Sequence, residues 1–132
     1  MLKLTVQPMY TTICLKDSRE ITNENLQMVL KTIEGSPCKK FIITHGTYTM
    51  PDTARFLKAN LNRSDVTVIL TGSFIPIKGF APSDGPFNLG FALSSLRTIE
   101  SGIYVCMNGE IFSPDEVIKL ISEGRFTSIF NQ

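Results

Sequence analysis

Short apolar runs of strand length alternate with longer amphipathic runs of helix length along these 132 residues, and that alternation predicts an α/β fold with a mostly parallel sheet. Two further features agree. The runs 41–43, 66–70 and 103–107 are almost wholly apolar, as strands covered on both faces require. Each is followed by glycine, hydroxyl or turn residues and then by a helix-start signal, so the chain keeps leaving a strand for a crossover. The expected architecture is a three-layer sandwich of four or five parallel strands joined by right-handed crossovers. The length suits a single domain over 1–132 with a real core.

At the N-terminus, Leu2, Leu4 and Val6 alternate with Lys3, Thr5 and Gln7, the period of a half-buried strand. A polar link covers 16–20. Leu26, Val29, Leu30 and Ile33 then recur at helical spacing, with Thr22 as N-cap, Glu24 in the first turn and Ile21 placed to staple onto Leu26. Gly35 and Pro37 end that helix. After the strand 41–43, Pro51 opens a second helix, with Thr49 as its cap and Asp52 three residues on. Residues 66–70 form a strand and 72–85 a long loop. Pro86 starts a third helix, and Phe87, Leu89, Phe91, Leu93 and Leu96 surround its axis, which predicts the most buried helix of the chain. Residues 103–107 form a strand that turns at Asn108-Gly109. Ser113-Pro114-Asp115-Glu116 reads as a fourth helix start, with Val117, Leu120 and Ile121 as its apolar face and Gly124 as its end.

Composition excludes several functions. Thirteen basic and twelve acidic residues nearly cancel, and the longest basic run is Lys39-Lys40, so no nucleic-acid surface is expected. No stretch approaches the roughly 20 apolar residues that span a bilayer. The first residues lack the order of a signal peptide. Cys14, Cys38 and Cys106 are odd in number and far apart, with Cys14 and Cys106 in apolar runs and only Cys38 expected to be exposed. A reduced, cytoplasmic setting fits. With one histidine and no paired cysteines, neither a metal nor any other cofactor is expected. No G-x-x-x-x-G-K-[ST] loop occurs, which argues against an NTPase.

In an open α/β sheet, ligands bind beyond the carboxyl ends of the strands. Three polar junctions fall on that rim: Ser18, residues 46–49, and residues 71–73. Free N–H groups at the adjoining helix start favour an anion such as a carboxylate. Thr44, Thr49 and Thr71 serve equally well as strand and helix caps, and Gly46 and Gly72 as tight-turn residues. His45 is expected to be a structural hydrogen-bonder rather than a base. Phe74, Ile75, Ile77 and Phe80 in the long loop suit a lid, a subunit contact or the domain's own flank.

"ITHGTYTMPDTARFL" (43–57) resembles the asparaginase/glutaminase signature, His-Gly-Thr-Asp-Thr-Met followed by a Thr-Ala helix. "VILTGSFIP" followed by "SDGPFNLGFAL" resembles the family's next strand, loop and helix. "KDSREIT" resembles its substrate-binding serine loop, and "GIYVCMNGEIFSPDEV" a later strand and turn. The likeness runs in order over about 16–126. It implies a flavodoxin-like sandwich corresponding to the family's N-terminal domain, in a short single-domain form. The family's first strand, with its Gly-Gly-Thr-Ile nucleophile hairpin, has no counterpart before Leu2.

The resemblance also implies chemistry: an amidohydrolase taking L-asparagine to L-aspartate and ammonia by acyl transfer through threonine. A hydroxyl needs a base to become a nucleophile, and the amide oxygen needs donors as it becomes an oxyanion. By motif position Thr47 is catalytic, Ser18 grips the substrate α-carboxylate, and Gly46, Tyr48 and Ser73 line the substrate. The family also uses an aspartate after the motif threonine and a distant lysine. Tyr48 replaces that aspartate, which removes an acceptor and the anchor for the substrate ammonium. Counted without gaps from Asp84, the lysine falls at Ile99, and Arg97 points to another side of the helix. The expected function is therefore an asparaginase-like domain with little or no activity. The alternative is a non-catalytic binding or regulatory module that keeps a small amino-acid or carboxylate pocket. Its expected partners are such a ligand and, across an unfilled sheet edge, further copies in a homodimer or larger assembly; neither nucleic acid nor membrane is expected.

Overall fold

A computed structural model of the chain describes residues 7–79 and 81–131. The expected strand at 2–6 and the loop residue Phe80 lie outside them. The elements are α1 (Asn23–Gly35), β1 (Lys40–Thr44), α2 (Met50–Asn60), β2 (Thr67–Thr71), α3 (Gly85–Ser95), β3 (Gly102–Met107), β4 (Glu110–Phe112), β5 (Val117–Leu120) and β6 (Arg125–Ser128).

α1 starts where Thr22 predicts. The Thr22 Oγ1 accepts from the Asn25 N–H (3.3 Å), and the Asn25 side chain accepts from the Thr22 N–H (3.0 Å), so asparagine completes the capping box. At its other end, the Arg63 guanidinium donates to the carbonyls of Ile33, Ser36 and Cys38 at 2.7, 2.7 and 3.0 Å. Those include orphan acceptors that a helix terminus leaves open.

The sheet runs β1-β2-β3-β4, with the first three strands parallel and β4 antiparallel. The expected four or five parallel strands are thus three among the described residues. The chain reverses after β3 because Asn108 and Gly109 both take positive φ (55° and 81°), the pairing that suits a tight hairpin. β2 is central and buried at every position.

Alternation along the strands sorts the core into two layers. Val68, Leu70, Val105 and Met107 pack with Ile33 of α1 and with Met50, Ala54 and Leu57 of α2. Ile69 and Cys106 pack with Ala92 of α3 and with Leu96 beyond its end. The units β1–α2–β2 and β2–α3–β3 step the same way across the sheet, yet their helices lie on opposite faces. The two crossovers therefore have opposite hands, and one of them is left-handed. That corrects the expectation of uniformly right-handed crossovers.

α3 is not the most buried helix. It sets Asn88, Ala92 and Ser95 against the sheet, while Phe87 and Leu89 are 60% and 45% exposed. Its small residues are the ones that let it approach. α2 buries more of itself: Met50, Pro51, Thr53, Ala54 and Leu57.

The expected fourth helix does not form. The Val117 N–H donates to the Ser113 carbonyl (3.2 Å), and the Ser113 N–H to the Glu116 carboxylate (3.2 Å), so the start signal makes one turn. The chain then extends into β5, which pairs antiparallel with β6. Gly124 supplies the left-handed residue between them (φ 59°). The Arg55 guanidinium ties this hairpin to α2 by donating to the Val117 carbonyl (2.7 Å).

The thiols depart from expectation at two of three positions, Cys14 and Cys38. Cys106 is buried, and burial pushes it up to about 12, so it is inert. Cys14 and Cys38 are both half-buried. Among the described residues, no helix is long and apolar enough to cross a membrane.

Candidate functional site

β1 leaves the sheet toward the α2 face and β2 toward the α3 face. The crevice between their carboxyl ends opens where the two connections diverge, the place where open α/β sheets bind ligands. The two exits approach closely. The His45 N–H donates to the Thr71 carbonyl (2.9 Å), and a Cβ on Gly72 would stand 2.2 Å from the His45 carbonyl oxygen. Only glycine fits there. Thr71 is turned inward and donates to the Cys106 carbonyl (2.8 Å), so its role is structural.

Ser18 joins this rim from a separate segment. Asp17 starts a short 3-10 turn, Ser18–Glu20, by accepting from the Arg19 N–H (2.9 Å). It also takes two hydrogen bonds of 2.9 Å from the Arg19 guanidinium. Those side-chain bonds, then the backbone bond, hold the Asp17 carboxyl down at about 2. Ser18 is 3% exposed. Its Oγ accepts from the Thr49 N–H (3.2 Å), and the Thr49 hydroxyl donates to the Ser18 carbonyl (2.8 Å). Thr49 therefore does not cap α2 through its side chain, contrary to the sequence expectation; its hydroxyl holds Ser18 instead. A Cβ on Gly46 would meet the Ser18 Cβ at 2.9 Å, so the close approach depends on glycine. Among the described residues, the Ser18 O–H proton itself has no acceptor.

Thr47 faces a lysine. The Lys119 ammonium on β5 donates to the Thr47 Oγ1 at 3.0 Å. It also lies 5.3 Å from the ring centres of both Tyr48 and Phe74. The Arg19 guanidinium lies 5.5 Å from the Tyr48 ring as well. Contacts of this kind contribute about 0.5–1 kcal/mol each at exposed sites, and Tyr48 is 56% exposed. Among the described residues, no carboxylate is within ion-pair distance of Lys119.

His45 turns away from Thr47. Its Nδ1 donates to the Gly46 carbonyl (2.6 Å), which in the neutral ring leaves Nε2 to accept from the Thr53 hydroxyl (2.8 Å). Burial lowers its pKa, opposed by the Gly46 carbonyl, in keeping with that state. Ser73 sits at the loop entrance, with its Cβ against the Gly85 position. The loop is pinned by Asp84, whose carboxylate accepts from the Phe74 and Ile75 N–H groups at 3.0 Å each. Burial raises the Asp84 pKa, but those N–H groups and the Asn88 amide outweigh it and the net direction is down. Asn88, wholly buried, donates to the Gly72 carbonyl (2.8 Å) and accepts from the Asn108 N–H (2.9 Å). The Asp-Gly-Pro-Phe-Asn run thus braces the rim.

The rim brings together Ser18, Gly46, Thr47 and Tyr48, with Gly72 and Ser73 on the neighbouring exit. Lys119 is the member that sequence reasoning misses. The ungapped count points to Ile99, which packs in the α3-side core, at the end of the sheet away from the rim. Read as helix, 117–121 puts Lys119 on the solvent face. As a strand, it carries Lys119 on the same side as the buried Val117 and opposite Phe126. Two surface concavities lie elsewhere, one bounded by Ile111, Phe112 and Phe130, the other by Lys58, Gly102 and Ser113.

Comparison with known proteins bears on this arrangement. Residues 2–129 match the family described as Asparaginase, N-terminal. The chain is 33% identical over 103 residues to L-asparaginase 2 of Escherichia coli (strain K12), covering 74% of this chain and 29% of that protein. It is 35% identical over 113 residues to a glutaminase-asparaginase of Pseudomonas fluorescens biotype A, covering 80% and 30% respectively. Among solved structures, the thermostable L-asparaginase from Thermococcus kodakarensis superposes with a TM-score of 0.79 at 32% identity, over 86% of this chain and 36% of that one. A probable cytoplasmic L-asparaginase from Campylobacter jejuni gives 0.77 at 30% identity, over 88% and 38%. The chain therefore spans under two fifths of the length of each of these relatives. The fold, the order of its motifs and these matches agree: the chain belongs to the asparaginase family and corresponds to its N-terminal region.

Proposed function

We propose that the rim is an amidohydrolase site of the asparaginase type working far below an ordinary enzyme rate. The observation that carries this reading is the 3.0 Å contact between Lys119 and Thr47. Once the Lys119 ammonium has released a proton to solvent, the free amine takes the proton from the Thr47 hydroxyl, and the oxygen attacks the side-chain amide carbon of asparagine. The tetrahedral intermediate collapses to an ester on Thr47, and ammonia leaves with the proton held by Lys119. Water then hydrolyses the ester to aspartate and restores Thr47. Ser18 has an O–H proton free to donate to the substrate carboxylate, beside the N-terminal N–H groups of α2. Gly46 and Ser73 border the ligand. Position 48 lacks the carboxylate that completes the unit, and losing one member of such a unit costs orders of magnitude.

The 132-residue chain is expected to release ammonia from L-asparagine below about 0.01 s⁻¹, against about 1–1000 s⁻¹ for ordinary enzymes. Thr47→Val and Lys119→Met should each abolish that remaining activity. A rate in the ordinary range would contradict the impairment. A slow rate unchanged in both variants would remove these two residues from the chemistry. A second reading, a binding module without turnover, is favoured by Tyr48, whose ring lies beside two cations.

We further propose that the chain self-associates. β1 is one of the two edge strands of the four-stranded sheet among the described residues, and its Ile42 is only partly buried. A second chain along that edge would cover it, giving a dimer or larger. Light scattering that finds a monomer at micromolar concentration would contradict this.

A further inference from the structure

We infer that the rim selects a small dicarboxylate without an α-ammonium group over the corresponding amino acid, and that Tyr48 sets this preference. The inference rests on the reading of the rim as a carboxylate-binding site, and it deepens that reading by naming the ligand class.

Charge at the rim carries the inference. Asp17 and Glu20 are the acidic side chains of the turn that carries Ser18; two hydrogen bonds commit Asp17 to the Arg19 guanidinium, and Glu20 acts on that same guanidinium. Lys119 meets only the neutral Thr47 hydroxyl and two aromatic rings, with no carboxylate at ion-pair distance among the described residues. One positive charge is therefore left uncompensated beside Thr47. A second carboxylate on the ligand answers that charge. An ammonium on the ligand meets repulsion from Lys119 and finds no acceptor carboxylate at position 48, where a phenol ring stands. The Arg19 and Lys119 cations already lie beside that ring and would repel a third.

The test is isothermal titration calorimetry on the 132-residue chain with succinate, L-aspartate, L-asparagine and inorganic phosphate as probes. Succinate is expected to bind at least about tenfold more tightly than L-aspartate, a difference of specificity rather than of overall affinity. Lys119→Met should remove the succinate signal. Tyr48→Asp should reverse the ranking in favour of L-aspartate, whereas Tyr48→Phe, which keeps the ring, should preserve it. Thermal midpoints within a few degrees of the parent chain establish that each variant is folded. L-aspartate binding as tightly as succinate, or a ranking unchanged in a folded Tyr48→Asp variant, overturns the inference. Phosphate binding as tightly as succinate overturns it as well, since it would make the rim a general anion site. Ammonia release is read separately. A slow asparaginase that succinate does not inhibit would leave the proposed function standing and remove this inference. The succinate preference without any hydrolysis would do the reverse.

Discussion

His45 shows how a residue in the middle of a catalytic-looking motif can be wholly structural. Both ring nitrogens are committed, one to the Gly46 carbonyl and one to the Thr53 hydroxyl, and burial favours the neutral ring there. Its pKa is therefore depressed by burial below the usual 6.5. In acid the unfolded chain takes up a proton that the folded chain resists. This contribution to stability is full above about pH 6.5 and is lost as pH falls through the folded value. As the only histidine, it is the side chain expected to dominate that window. Urea midpoints measured at pH 7 and pH 5.5 should fall with acidification in the parent chain, and His45→Phe should flatten the difference. A parent chain equally stable at both values would contradict the assignment.

At the scale of elements, legibility tracks locality. α1, β1, α2 and β2 can be read from the sequence because their caps, glycines and apolar periods lie within the segments themselves. The β5–β6 hairpin cannot. Ser113-Pro114-Asp115-Glu116 does nucleate a turn, but the conformation beyond it is decided by a partner strand, 125–128, that no local signal announces. The available clues are Val117-Ile118, which favour a strand, and Gly124 ahead of Arg125-Phe126-Thr127. Reading that segment as helix hides Lys119, the basic group that reaches Thr47. Helical periodicity likewise cannot say which side of α3 meets the sheet, and the small residues take that place. Gly124 has open space around it, so its requirement is conformational. Gly124→Val should cost about 1–2 kcal/mol through the left-handed backbone, with a lower urea midpoint and an unchanged m-value. Gly124→Asn should cost less, because asparagine tolerates that conformation. Equal losses in the two variants would contradict this account of the turn.

For the molecule as a whole, the placement of the rim is a consequence of topology. Two consecutive crossovers of opposite hand send α2 and α3 to opposite faces of one sheet. That divergence opens the sheet at the carboxyl ends of β1 and β2, and Gly46 and Gly72 let the neighbouring backbones close around the opening. Ser18 arrives from one side and Lys119 from the hairpin on the other, so segments from opposite ends of the chain meet at Thr47 and Thr49. The meeting of these segments is thus a property of the fold. The most direct check is a titration of the ¹⁵N-labelled chain with succinate, monitored by amide chemical shifts. The largest changes should fall together at Ser18, Gly46, Thr47, Tyr48 and Lys119. Changes centred instead on the concavity at Ile111 and Phe130, or at the opposite pole near Gly102 and Ser113, would contradict a ligand site at this rim.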